Sequence, residues 1–260
     1  FGNERISEAN ILAGHFGSTR ERFEGIGKSI ALILHDTTEF SYRHENAKAI
    51  GILQKIPAGP PGRPGRPYFY TNCGILMHSS LVTNVDGLPL GLAAIKFSTR
   101  DKFHGANALK RKINPTRVPI EQKESIRWLE NLRHSTELLG DPGRCVHIGD
   151  RESDIYELFC LARELGPHFL VLTCVDRLAA NGNTTIAAEM NREEIRGLHP
   201  IQVRNNRGET TTAVLEMRFR RIVVHPPRDK EKRYPELVLT VIHAREGASP
   251  KAGRRSIGSC

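Results

Sequence analysis

Two aspartates follow apolar runs that read as strands. Asp36 comes after Ile30-Ala31-Leu32-Ile33-Leu34-His35, and Asp150 after Arg144-Cys145-Val146-His147-Ile148-Gly149. Continuous apolar runs of this length suit strands buried on both faces, each delivering its carboxylate at its C-terminal end. In open sheets ligands sit in the crevice beyond the strand C-termini, so neighbouring strands would set the two side chains against each other. Carboxylates that close repel, and unless they share a proton they need a cation; hard Mg2+ prefers such oxygen ligands. In a two-metal site the ions stand about 3.5–4 Å apart and clamp the attacking and leaving oxygens of an in-line phosphoryl displacement. Plainer readings stand beside this one. Either aspartate alone suits a turn or cap. His35 and His147 read as half-buried packing or surface histidines, and Arg151 with Glu152 as an exposed charge pair.

The elements that must position these residues are legible in outline. Residues 5–28 mix Ile6, Ile11, Leu12, Phe16 and Phe23 with charges, and Ser7 or Ser18 suits a helix cap, as at the end of a helical region. Residues 57–67 are dense in Pro and Gly, which excludes helix or central strand and leaves a basic surface arm carrying Arg63 and Arg66. Strand-like stretches at 70–83 and 88–97 meet at Asn84-Val85-Asp86-Gly87, a hairpin signal. Residues 123–139 place Ile126, Leu129, Leu132 and Leu139 near one helical face beside Trp128. Asp154 and Glu157 read as a capping box that opens a helix with Ile155, Leu158, Phe159, Ala162 and Leu165, and a further apolar strand follows at 168–173. Strand signals at 201–204, 212–224 and 237–243 indicate an antiparallel β region. The expected division is 1–28, the end of a helical region; 29–175, an α/β core; 176–245, a β-rich insertion; and 246–260, a patternless tail.

Lys and Arg number 38 against 29 Asp and Glu, a formal charge of +9 and a pI near 9.5, which favours a polyanionic partner. The basic stretch Lys96, Arg100, Lys102, Lys110, Arg111, Lys112 and Arg117 carries only Asp101 against it, although charge runs also serve as solvated faces. Five scattered cysteines without a C-x-x-C pair argue against a disulfide framework or zinc ribbon and fit a reducing cytoplasm. No apolar run approaches the roughly 20 residues of a membrane helix.

Three motifs carry a resemblance. Asp36-Thr37-Thr38 with Ser41-Tyr42-Arg43-His44, Lys123-Glu124-Ser125 with Trp128, and Gly149-Asp150-Arg151-Glu152-Ser153-Asp154-Ile155-Tyr156 resemble, in order and separation, motifs of the insertion-sequence-four family of transposases, the branch that includes the transposon-five enzyme. The resemblance spans nearly the whole chain. It implies a ribonuclease-H-like mixed sheet with flanking helices and a β-rich antiparallel insertion. It also implies Mg2+, replaceable by Mn2+, held in a two-metal site by an Asp, Asp, Glu triad that cuts and joins double-stranded DNA at transposon ends. Asp36 and Asp150 match the first two positions as catalytic metal ligands. Arg43, Arg63, Arg66, Lys96, Arg100, Lys102, Lys110, Arg111, Lys112 and Arg151 are the candidate DNA contacts. The intact family implies a homodimer, a bacterial cytoplasmic location on the nucleoid, and no membrane.

The chain departs from that family in two places. The third carboxylate belongs to a helix after the insertion, in the pattern Tyr, two residues, Arg, three residues, Glu, six residues, Lys, which does not occur here. Tyr156 has Phe159 where Arg belongs, Tyr234 has Leu237, and Glu193 and Glu194 fall inside the insertion. A first residue of Phe and a patternless end after Glu246 lead to the expectation of a shortened polypeptide, catalytically impaired and poorly soluble where its missing helix leaves apolar surface bare. Leu172 stands where resembling sequences tend to have a DNA-holding Arg. Two other readings remain: a non-catalytic DNA-binding remnant that inhibits intact transposase, and an unrelated metal-dependent phosphoesterase built on the same aspartates.

Overall fold

Ser7 accepts a hydrogen bond from Asn10 N at 3.2 Å and so caps helix α1, Glu8–Gly25. Ser18 is an interior residue of that single helix, not a second cap. The computed structural model describes residues 7–42, 50–57, 69–99, 118–204 and 207–247. The protein is mixed α/β and divides into two compact units, Phe1–Val175 and Asp176–Cys260.

The first unit is built on strands β1 (Ala31–Tyr42), β2 (Ile52–Pro57), β3 (Phe69–Asn84), β4 (Pro89–Ser98), β5 (Cys145–Gly149) and β6 (His168–Val171). Their order is β2-β3-β1-β5-β6, with β4 also on β3. β3 runs antiparallel to β1, whereas β1 with β5 and β5 with β6 are parallel. β2, unforeseen in the sequence, pairs with the start of β3, and β4 with its later part. The hairpin between β3 and β4 turns where expected: Asn84 Oδ1 accepts from Asp86 N at 3.0 Å and Leu88 N at 2.8 Å, and Gly87 takes φ +84.

Helices α2 (Ile126–Leu139) and α3 (Tyr156–Leu165) complete this unit among the described residues, each closed by a left-handed glycine, Gly140 or Gly166. After a 3-10 turn, Arg151–Ser153, the helix expected to open at Asp154 starts at Tyr156 with Ile155 at its cap position. Asp154 Oδ2 accepts from Cys174 N and Val175 N, both at 2.8 Å, tying down the loop after β6.

All three helices lie on one face of the sheet. Phe23 of α1 and Leu139 of α2 bury against Ala31, Ile33, Val82 and Cys145. Phe159 of α3 stacks on Phe169 of β6 at 5.0 Å, and Phe169 is level with His147 in the β5–β6 register. Arg144 lies 4.2 Å over the Phe23 ring and donates to Ser29 O and Phe23 O, joining α1 to the base of β5. No described helix of this unit packs on the opposite face, where Leu34, Phe40, Phe97 and Leu170 are exposed and Leu32, Leu81, Val146 and Ile148 are half-buried. The apolar run of β1 is therefore buried on one face, not two.

The second unit is a five-stranded antiparallel sheet of β7 (Leu178–Ala179), β8 (Thr184–Thr185), β9 (Gly197–Arg204), β10 (Thr210–Val224) and β11 (Leu237–Glu246). The short helix α4 (Ile186–Arg192), capped by Thr185, packs Met190 and Ile186 against Ala179, Ile222 and Val241. No helix among the described residues is long and apolar enough to cross a membrane.

Candidate metal-binding edge and its histidine core

The two aspartates sit on adjacent parallel strands. The β1–β5 register pairs Ile33 with His147 and ends at Leu34 with Ile148, and each aspartate lies two residues further along its own chain. Both side chains are exposed and follow the face of Leu34 and Ile148. Asp36 does not end its strand. β1 continues to Tyr42 against β3 alone, so Asp36 lies just beyond the end of the parallel pairing, inside a longer strand. Asp150 leaves β5 in an extended conformation and caps the next turn, its Oδ1 accepting from Glu152 N at 2.9 Å. Gly149 is required there, because a Cβ would run into Ser153 Oγ and come within 3.0 Å of Trp128.

Beneath this edge lies a polar core that sequence reasoning missed. His35 and His147, expected half-buried or at the surface, are 8% and 2% exposed, and His78 of β3 is fully buried. The hydrogen bonds of His35 and His147 assign the protons of both rings. Thr136 Oγ1 donates to Leu132 O at 2.7 Å, so at 3.1 Å it accepts from His147 Nε2. His147 Nδ1 then accepts from His35 Nε2 at 2.7 Å, His35 Nδ1 accepts from Ser80 Oγ at 3.0 Å, and Ser80 Oγ accepts from Asn131 Nδ2 at 3.1 Å. Both rings are neutral in this chain of donors. Burial holds His35 far below its ordinary range, with His147 and His78 adding repulsion, and burial brings His147 down to about 4.

His78 Nδ1 lies 2.8 Å from Thr37 Oγ1, which also accepts from Arg127 Nε at 3.3 Å. His78 Nε2 has no hydrogen-bond partner among the described residues, and the Trp128 ring, tilted at 60°, has its centroid 4.4 Å from that of His78. Burial, then the Arg127 charge, lowers His78 to about 4. A cavity of about 10 Å³ beside His35, His147, Trp128 and Ser153 has room for no more than one water. This interior therefore has no room for a larger ligand.

Of the candidate DNA contacts, Lys96 pairs with Glu130 at 3.1 Å, and Arg151 is exposed in the turn after Asp150. Arg43, Arg63, Arg66, Arg100, Lys102, Lys110, Arg111 and Lys112 lie outside the described residues, as do the proline-rich arm after Pro57 and the tail after Gly247. Glu152 bonds Arg127 at 3.0 Å, and not Arg151 as a simple surface pair would require.

The carboxylates of Asp36 and Asp150 suit Mg2+ in kind. Among the described residues no group of three His, Cys, Asp or Glu side chains is arranged to hold a metal, so the edge offers a pair. Compared with models of known protein families and with curated proteins, the chain matches none.

Proposed function

We propose that the chain is a DNA transposase polypeptide of the ribonuclease-H-like, Asp-Asp-Glu type, with Asp36 and Asp150 as metal ligands and severely impaired cleavage in this form. The observation that supports this reading is the parallel β1–β5 pairing, whose last paired residues, Leu34 and Ile148, each stand two residues before an aspartate from a separate motif. The succession of strand, β-hairpin, helix, strand, helix and strand, followed by an antiparallel unit, suits the same fold. Mg2+ held there would polarise a phosphodiester oxygen and lower the pKa of an attacking water. The chain's own residues would hold the cations and orient the backbone, with Arg151 beside Asp150 for a phosphate.

Charge balance argues for impairment. Two Mg2+ ions bring four positive charges, and two carboxylates offset only two of them. Loss of one electrostatic partner at an active site costs about 10²–10³ in rate, and loss of a metal ligand at least that.

The test is a mobility shift and a nicking assay on duplex DNA. The expected result is DNA binding that weakens steeply with salt, with a trace of Mg2+-dependent nicking that is lost in Asp36→Ala. Binding with no such trace favours the inhibitory remnant. Turnover of small phosphoesters abolished by Asp36→Ala or Asp150→Ala, without DNA binding, points to an unrelated phosphoesterase and sinks the transposase reading.

A further inference from the structure

One buried guanidinium joins all three motifs. Arg127, on α2, has a side chain only 10% exposed. Its Nε reaches Thr37 Oγ1 at 3.3 Å, its Nη1 pairs with Glu124 Oε1 at 3.0 Å, and its Nη2 bonds Glu152 Oε2 at 3.0 Å. Thr37 is the chain neighbour of Asp36, and Glu152 supplies the N–H that Asp150 Oδ1 accepts at 2.9 Å. The fork is thus one residue from the first aspartate and one hydrogen bond from the second.

We propose that Arg127 is a positioning residue that locks the strand segment bearing Asp36 to the turn bearing Asp150 and so sets the spacing of the two carboxylates. This rests on the metal-site reading above. The geometry demands arginine: donors from Nε, Nη1 and Nη2 point to three segments at once, which the single ammonium of lysine cannot reproduce. Burying a charge is costly even when it is paired, and an apolar residue of similar volume would brace α2 against the sheet at least as well. A mere brace gives no reason for a guanidinium whose partners adjoin both aspartates. β1 needs no such help, since its pairing with β3 runs from Ala31 to Tyr42; the three-residue turn after Asp150 is where the lock acts.

The experiment compares Arg127→Gln and Arg127→Lys with the unaltered chain by amide hydrogen exchange and by Mn2+ titration. In both variants the Glu152 and Ser153 amides should exchange about tenfold faster or more while Ile33 and His147 keep their protection, the pattern of a local opening. Mn2+ affinity should fall at least severalfold, and lysine should not restore it. Exchange that accelerates uniformly across the sheet, rescue by lysine, or unchanged Mn2+ affinity overturns the proposal. Glu152→Gln, a change at an exposed position, should reproduce the local pattern if Arg127→Gln does not fold. Should the unaltered chain bind Mn2+ no better than Asp36→Asn, the metal-site reading fails, and the exchange pattern alone decides whether Arg127 locks the turn.

Discussion

His35 Nε2 lies 2.7 Å from His147 Nδ1 across the parallel β1–β5 pair, one residue before the level of Asp36 on the first strand and three before Asp150 on the second. This contact is the centre of a directed chain from Asn131 to Leu132 that accepts no extra proton without reversing a donor. A doubly protonated imidazole is a donor at both nitrogens, so protonating either ring breaks a link.

Acid should therefore unfold the protein by way of these rings. Unfolded histidines protonate near pH 6.5, whereas His147 and His78 stay neutral down to about 4 and His35 is held well below its ordinary range. The folded values are depressed, so the stability they contribute is fully present above about pH 6.5 and is lost as pH falls toward 4, where the unfolded chain binds more protons. With up to three protons involved, the slope approaches about 4 kcal/mol per pH unit at its steepest. Urea midpoints between pH 7.5 and 4.5 measure it, and His147→Gln should flatten the curve by about a third. A midpoint constant from pH 7 to 5 would show that the rings do not carry this linkage.

Gly149→Ala should destabilise the protein by about 1–3 kcal/mol through overpacking. The added Cβ meets both atoms of the Ser153 side chain as well as Trp128. Ser153→Ala removes the nearer Oγ but keeps the Cβ at 2.7 Å and should relieve only part of the strain, whereas Ser153→Gly removes both atoms and should relieve more of it. Thermal denaturation of the single and double variants settles this; equal losses with and without Ser153→Gly count against the packing argument.

Much of the scaffold, and little of the site's support, was legible in the sequence. The apolar runs ending near Leu34 and Ile148 marked β1 and β5, Asp86-Gly87 marked the hairpin, and the spacing of Ile126, Leu129, Leu132 and Leu139 marked α2, although its buried face holds Trp128, Leu132 and Leu139 while Ile126 and Leu129 are only half-buried. The continuation of β1 to Tyr42 was hidden because its later residues are mostly polar and pair with β3 alone. β2 ends in proline at the sheet margin, where a strand leaves a weak signal, and α4, seven residues long, is shorter than a periodic pattern can reveal. The buried histidines find partners up to 112 residues away in the chain, and the three partners of Arg127 come from three separate segments. No local pattern announces such contacts.

Leu172 offers a gain-of-function test. It is 56% exposed, and its N–H donates to Gly149 O at 3.2 Å, one residue from Asp150. Leu172→Arg should tighten duplex binding and steepen the plot of log affinity against log salt by about 0.9, the signature of one added phosphate contact. An unchanged slope would place position 172 away from the DNA path.

The sheet face opposite the helices should drive self-association. Leu34 and Leu170 are 36% and 52% exposed on it, and contiguous apolar surface of this kind promotes contacts between molecules. Replacing both with threonine, which suits a solvated strand, should lower the light scattering of concentrated samples without lowering the melting temperature. Identical scattering from both proteins would mean that another surface governs solubility.

The most direct measurement is a Mn2+ titration followed by electron paramagnetic resonance on the unaltered chain, Asp36→Asn and Asp150→Asn. Each substitution removes one negative oxygen ligand from a two-carboxylate site while preserving shape. The account predicts saturable binding by the unaltered chain, weakened at least tenfold by either change, consistent with the cost of losing a charged partner. Equal Mn2+ binding by all three proteins would contradict it.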